Sequence, residues 1–306
     1  MNNSEEKPTN LTGSAGFTRS NSSRQADSAG HEEPNFRWDD GRRRVANVPY
    51  MLPHDLAEGQ RLDFQHYMLR YAFKGNYLAP VKDPKNILDV ACGTGRWMFE
   101  IASVFPQANI LGLDLVTPLQ KQSTVSFPRN CIFTASDVAD GLPFMDKTFD
   151  FVHQRLLILG IQAKIWPGLL RDLVRITRPG GWVELIETNL TCQRLGPETK
   201  RLAKWVQEIS IKRGIDASIP KILGTQLKQV GLVNVSTQRI SIPIGLWGGR
   251  VGSMLRQDIL SITKATRPFV MTHAGISARE YDYIVDISLQ EYEQYHSYSD
   301  FYVAYG

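Results

Sequence analysis

NILDVACGTGRWMFEIASVFPQANILGLDL, Asn86 to Leu115, decides the fold. Ile87 to Ala91 is a short apolar run, Gly93-Thr94-Gly95 breaks it, an amphipathic stretch follows, and a second apolar run ends at Asp114. Strand, glycine turn, helix and strand in that order form a right-handed β-α-β unit. Gly93 and Gly95 lack a Cβ, so the backbone can turn sharply there and let a ligand approach closely. The new helix points free N–H groups into the same space. Asp114 ends the second strand, where open α/β sheets bind ligands, and its carboxylate can accept two hydrogen bonds from ribose hydroxyls. A dinucleotide fingerprint would need a third small residue at position 98, where this chain has Met98, so an NAD-dependent oxidoreductase is disfavoured.

Working outward, 306 residues suffice for one large domain or two small ones with a sizeable core. A content of 42% hydrophobic and 22% charged residues suits a soluble globular chain rather than a membrane protein. No apolar run approaches the roughly 20 residues that span a bilayer. The polar start predicts no signal or transit segment. The net charge of +4 is modest, and its one dense basic run, Arg42-Arg43-Arg44, reads as solvated surface rather than a nucleic-acid footprint. Cys92, Cys131 and Cys192 are too few and too scattered for a disulfide framework or a zinc site, which suits a reducing, cytoplasmic setting. Cys92 reads as a small residue of the turn, not a nucleophile.

Residues 1–34 are rich in Ser, Asn, Gly and charge and are expected to form a disordered tail. Order is expected from Phe36, and residues 35–306 to form a single domain. A helix with Leu62, Gln65, His66, Leu69 and Phe73 on one face precedes the first strand, so it can lie across the ligand crevice. Cys131 to Thr134 reads as a third strand and Phe149 to Val152 as a buried fourth, after which His153 projects into the crevice, as a candidate general base or as a group that shapes the cofactor pocket through hydrogen bonds. Leu169 to Val174 lies on a helix, Pro179-Gly180-Gly181 turns, and Trp182 to Ile186 is a strand ending at Glu187, which is placed on the substrate side. Helices follow at 197–213 and 222–230, then a strand over 232–242. Two more helices come next, the second opened by the capping box Ser277 to Glu280. Asp300 to Tyr305 alternates like an edge strand. Segments 45–80, 197–230 and 250–296 are expected to build a helical lid over the strand ends. No internal repeat, heptad array or metal-ligand cluster is evident.

Asp89, the Gly93-Thr94-Gly95 turn and the acid Asp114 together resemble the class I S-adenosyl-L-methionine (SAM) methyltransferases. The resemblance implies a Rossmann-like, seven-stranded, mostly parallel α/β sheet with its last strand inserted antiparallel. It also implies that Asp89, Ala91, Gly93, Thr94 and Gly95 hold the amino-acid end of SAM. Asp114, beside Leu115, would hold the ribose, and Asp137 and Val138 the adenine. Ala91 departs from the family's usual glycine. Methyltransferases of DNA bases and amide side chains carry an Asn/Asp-Pro-Pro-aromatic motif after strand four. His153-Gln154-Arg155-Leu156 stands there instead and argues against those substrates.

The blocks Tyr50 to Pro53, Arg61 to His66, Phe149 to Arg155, Trp182 to Glu187, Ile242 to Trp247 and Phe301 to Gly306 extend the match. Together they resemble the LaeA-like methyltransferases of secondary metabolism, from about residue 36 onward. That group holds fungal regulators, enzymes of natural-product pathways and bacterial terpenyl-indole C-methyltransferases of the teleocidin type. It implies methyl transfer to a small, largely apolar natural product. One form is C-methylation of a terpenyl chain on an indole alkaloid with carbocation formation, for which Trp205, Trp247, Tyr281, Tyr283, Tyr292, Tyr295 and Tyr298 offer aromatic faces. The alternative is a regulator acting through protein partners. A small-molecule acceptor is the expected partner, with no nucleic acid and no membrane; a homo-oligomer is compatible with the aromatic C-terminal end.

Overall fold

The computed structural model describes residues 34–116 and 127–306, so the tail expected over 1–34 lies outside it apart from Pro34. The chain enters on a hairpin that the sequence reading did not foresee, β1 (Phe36–Asp39) against β2 (Arg42–Val45). Asp40 and Gly41 take φ of 50° and 69°, the two positive values that a tight Asp-Gly hairpin turn demands. The basic run is not mere solvated surface. Arg42 pairs with Asp55, whose carboxylate caps α1 (Leu56–Phe73) through the Glu58 N–H. Arg44 is buried, donates to the carbonyls of Met51 and Ala265, and stacks on Phe269. Three arginines in a row read as solvent-facing because their acceptors, the Asp55 carboxylate for Arg42 and backbone carbonyls for Arg43 and Arg44, are not revealed by sequence spacing.

The large sheet follows. Strands β3 (Asn86–Val90), β4 (Asn109–Asp114), β5 (Cys131–Ala135), β6 (Phe149–Arg155) and β7 (Thr177–Gln193) run parallel. Helices α2 (Arg96–Val104), α3 (Trp166–Ile176), α4 (Pro197–Lys212) and α5 (Ile219–Gln229) are interspersed. Then come β8 (Ser236–Pro243), α6 (Gly249–Ala274), α7 (Ala278–Gln294) and β9 (Tyr298–Tyr305). The order is β5-β4-β3-β6-β7-β9-β8, the seven-stranded sheet expected. Strand β9 lies antiparallel between β7 and β8, so it is an inserted strand and not an edge. Its core-facing residues Phe301, Val303 and Ala304 are buried. Strand β7 does not end near Glu187: it runs on to Gln193 because β9 continues to pair with it through Cys192↔Ser299 and Gln193↔Tyr298.

Alternation along the strands sorts side chains to two faces. Leu88, Val90, Val152, Val183 and Leu185 pack on α3 and α5. Ile87, Ile110 and Phe151 pack on α2. Helix α5 therefore belongs to the sheet and not to the lid, since its buried Leu223 and Leu227 sit in the core cluster with Trp166. The lid consists of α1, α4, α6 and α7, joined by Leu202, Ile209, Val270, Tyr281 and Ile284 in one cluster and by Leu69, Leu255 and Tyr292 in another.

Met98 also finds its explanation here. The small residue that lets helix meet strand stands on the strand, as Gly112 of β4, where a Cβ would fall 2.2 Å from Met98 Sδ and 2.8 Å from Cys92 Sγ. Gly112→Ala is expected to cost about 1–3 kcal/mol in urea unfolding. In a Met98→Ala background the same change should cost at least ~1 kcal/mol less, because the partner has gone; equal costs in both backgrounds would refute this packing.

Candidate functional site

Between β3 and α2 the backbone reverses in five residues. Ala91, Gly93 and Gly95 all take positive φ, 57°, 56° and 76°. Ala91 thus adopts the left-handed conformation that glycine occupies without strain. The Gly93 N–H donates to Asp114 Oδ2 at 2.7 Å, which aims that carboxylate at the turn. From the lid, Asp63 of α1 accepts from Thr94 Oγ1 at 2.6 Å and from Arg96 at 2.6 Å. A cavity of about 940 Å³ opens above this turn. Asp89, Ala91, Gly93, Thr94, Asp114, Leu115, Asp137, Val138 and His153 all line it. Gly95 does not: it is the N-cap of α2 and donates to the Cys92 carbonyl. The far wall is apolar, with Leu202 and Val206 from α4 and Leu255, Ile259 and Ile262 from α6.

A methyltransferase domain model matches residues 87–181. The N-methyltransferase verN of Clonostachys rogersoniana is 30% identical over 211 residues, 65% of this chain and 71% of that protein. This chain belongs to the LaeA-like class I SAM-dependent methyltransferases. The secondary metabolism regulator laeA of Monascus pilosus is 29% identical over 229 residues, 71% of this chain and 59% of that protein, so the match spans little more than half of the regulator. A solved protein of Anabaena variabilis ATCC 29413, described as a methyltransferase from an antibiotic biosynthesis pathway, has a TM-score of 0.51 at 15% identity, covering 77% of this chain and 96% of that one. That likeness shows the fold alone.

The residues of this SAM-dependent methyltransferase fit its cofactor. Gly93 leaves the cavity floor without a side chain at the turn, where a Cβ would reach only Leu62 of α1, at 3.5 Å. Asp114 offers acceptor oxygens at the adjacent strand end, and burial raises its carboxyl above the ordinary range. Asp137 caps a short 3₁₀ turn through the Ala139 N–H and faces the same cavity with Val138. Burial holds the Cys92 thiol far above its usual range, so it is no nucleophile at neutral pH.

The candidate base stands otherwise than expected. His153 is buried, its Nδ1 lies 2.8 Å from Asp89 Oδ1, and its ring stacks on Trp97 at 3.9 Å. Its Nε2 is shut from solvent and has no partner among the described residues. His153 therefore shapes the wall of the pocket, and a neighbouring histidine that looked exposed at a strand end is in truth under α2. Glu187 is a second correction. It points to the opposite face, away from the cavity, and accepts from Gln154, Leu157 and Ile158, which fixes the loop after β6. Burial pushes its carboxyl up to about 7 against those three donors. Of the seven lid aromatics, Tyr292 lines the cavity; Trp247, Tyr283 and Tyr295 are exposed.

The sequence reading missed Asp63, which anchors the lid to the turn. The signal was present: the inward face of α1 carries Glu58, Arg61, Asp63 and His66, too many polar groups for ordinary core packing. His66 Nδ1 takes a hydrogen bond from Arg155 at 3.1 Å, and Nε2 lies 3.1 Å from Glu100. Burial, aided by Arg155, lowers His66 to about 4. Between pH 6.5 and 4 the unfolded chain binds a proton there and the folded chain does not, so this contribution is present above 6.5 and lost as pH falls. His66→Gln keeps an acceptor and a donor without titrating. Its urea midpoint is expected to fall less than the parent's between pH 7 and pH 5; parallel falls would exclude His66 from the acid sensitivity.

Proposed function

We propose that the enzyme methylates a small, largely apolar natural product held between the glycine turn and the lid. The apolar wall of Leu202, Val206, Leu255, Ile259 and Ile262 opposite Asp114 carries this reading. SAM supplies a methyl group on a positively charged sulfur. Asp114 takes the ribose hydroxyls, Asp137 and Val138 meet the adenine, and Asp89, Ala91, Gly93 and Thr94 face the amino-acid end. The lid excludes water and holds the acceptor's nucleophilic atom in line, at the ~3–3.5 Å that a near-attack geometry requires.

With His153 Nε2 shut from solvent and Glu187 on the other face, the site favours an acceptor that attacks without a base: an uncharged amine or an electron-rich carbon. A terpenyl chain on an indole alkaloid, methylated at carbon, belongs to this class: Tyr292 and Phe301 offer aromatic faces for the positive charge that results, and the cation is discharged when it loses a proton to water or to a neighbouring acceptor. The N-methylation named for verN is the other member. A second reading, a regulator that works through protein partners, is favoured by the likeness to laeA. Deleting residues 1–33 should leave an enzyme's turnover intact and abolish partner capture by a regulator that uses them.

The deciding test is calorimetric titration with S-adenosylhomocysteine. The parent is expected to bind, and Asp114→Ala, which also strands the Gly93 N–H and should melt at a lower temperature, to bind at least tenfold more weakly at a temperature where it is still folded. Equal affinity would remove Asp114 from the site, and a parent that bound nothing would sink the cofactor assignment at this cavity.

A further inference from the structure

Arg155 ends β6 at the edge of the cavity. On the sheet it pairs with Ile186 of β7, and the preceding Gln154 pairs with Val90 of β3, so Ala91 of the glycine turn is its other neighbour. The other arginines near the turn are neutralised: Arg61 bonds Glu58 and Asp258, and Arg96 bonds Asp63. No carboxylate of the described residues lies within ion-pair distance of Arg155. The acids around it are already engaged. Asp89 meets His153, Glu184 accepts from the N–H groups of Leu78 and Ala79, and Glu100 meets Arg70 and His66.

A guanidinium carries five N–H donors. Among the described residues Arg155 uses one, from Nη2 to His66 Nδ1 at 3.1 Å. Because Nδ1 accepts, the His66 proton sits on Nε2, facing Glu100, which Arg70 holds at 2.6 Å. This relay fixes where the guanidinium points without neutralising it. A positive, partly desolvated fork beside a ligand cradle calls for an anion, and its geometry matches a carboxylate in bidentate fashion. Asp114 stands on β4, on one side of β3, and Arg155 on β6, on the other. A ligand that places its ribose at the first extends its far end toward the second.

We propose that Arg155 is the clamp for the carboxylate of the cofactor's amino-acid end, and that His66 is the positioning residue that aims it. This rests on the cofactor reading above. The charge balance supports it: the ammonium and sulfonium of SAM would lie toward the acids of the turn, and its carboxylate toward Arg155, which, unlike Arg61 and Arg96, has no counter-ion among the described residues.

The test is a ligand-by-variant cycle read by calorimetry. S-adenosylhomocysteine carries the carboxylate, and 5′-methylthioadenosine lacks the whole amino-acid end. Arg155→Met is expected to weaken S-adenosylhomocysteine at least tenfold and to change methylthioadenosine less than twofold, with Arg155→Lys recovering part of the loss. His66→Leu should lower the preference for S-adenosylhomocysteine several-fold, and His66→Gln restore it. Unchanged S-adenosylhomocysteine binding in Arg155→Met would overturn the proposal and leave an acceptor's carboxylate as the source of the anion. Equal loss of both ligands would overturn it too, as an effect of shape. Asp114→Ala weakens both ligands alike, so a parent that binds neither refutes the cofactor reading, while a parent that binds both and ignores Arg155 refutes only the clamp. Should Arg155→Met fail to fold, decarboxylated S-adenosylhomocysteine tests the parent itself. At least tenfold weaker binding than S-adenosylhomocysteine supports the clamp, and equal affinity overturns it.

Discussion

A hydrogen bond of 2.7 Å from the Gly93 N–H to Asp114 ties the turn after β3 to the end of β4. The rest of the site depends on it. A backbone that leaves a strand and starts a helix within five residues exposes N–H groups that must find acceptors. Here Cys92 donates to Leu113, Gly93 to Asp114 and Gly95 to Cys92, so the turn is closed by its own neighbours and by the next strand. Three residues in the left-handed region make this possible, and two of them are glycine. The third, Ala91, stands where an L residue is disfavoured by about 1–2 kcal/mol. The fold tolerates it because the turn is fixed from both sides, by Asp114 below and by Asp63 of α1 above.

Asp63 carries the constraint upward into the lid. Helix α1 has little apolar asymmetry of its own, and its inward polar residues are matched one by one. Arg61 lies between Glu58 and Asp258 of α6, with Gln65 on the same aspartate. Such buried ion pairs add little net stability, yet losing one partner strands a charge at a cost of about 3–5 kcal/mol. Their effect is therefore on register. A one-turn slip of α1 along α6 would break Arg61 from Asp258 and Asp63 from Thr94 together. The lid is thus held to one position over the turn by charge matching, while Leu69, Leu255 and Tyr292 supply the apolar contact that such matching alone does not give.

What could be read from the sequence divides along the same line. The sheet was legible because periodicity and glycine placement are local: the β-α-β unit and the later strands follow from short patterns, whereas the insertion of the C-terminal strand came from the family resemblance, its alternation alone reading as an edge. The lining of the candidate site was legible where the turn itself defines it: Asp89, Ala91, Gly93, Thr94 and Asp114 all face the cavity. Errors arose wherever a side chain's partner is remote in sequence. His153 could be read as a base or as a pocket-shaping group because Asp89 and Trp97, on another strand and a helix, were invisible beside it. Glu187 was put on the wrong face because a strand expected to end there continues, and its parity decides which face it takes. Helix α5 was counted in the lid because an apolar stripe does not say which layer it joins. The Arg42-Arg43-Arg44 run hid its acceptors 7 and 221 residues from Arg44.

The cavity that results has two unlike halves. Its floor is polar, formed by strand ends and the turn, and its roof is apolar, formed by α4 and α6. At about 940 Å³ it lies at the upper end of the range for ligand pockets, which is room for two ligands side by side. The division orders them. A charged, hydroxyl-bearing molecule is stable only on the floor, where carboxylates and N–H groups replace its water; an apolar one gains only against the roof. The reacting groups then meet at the boundary between the two halves. Beside that boundary His153 is bonded to Asp89, and Glu187 is turned to the opposite face. Under the proposed function, a site built this way would bring two molecules together, keep water from between them and leave nucleophilicity to the acceptor.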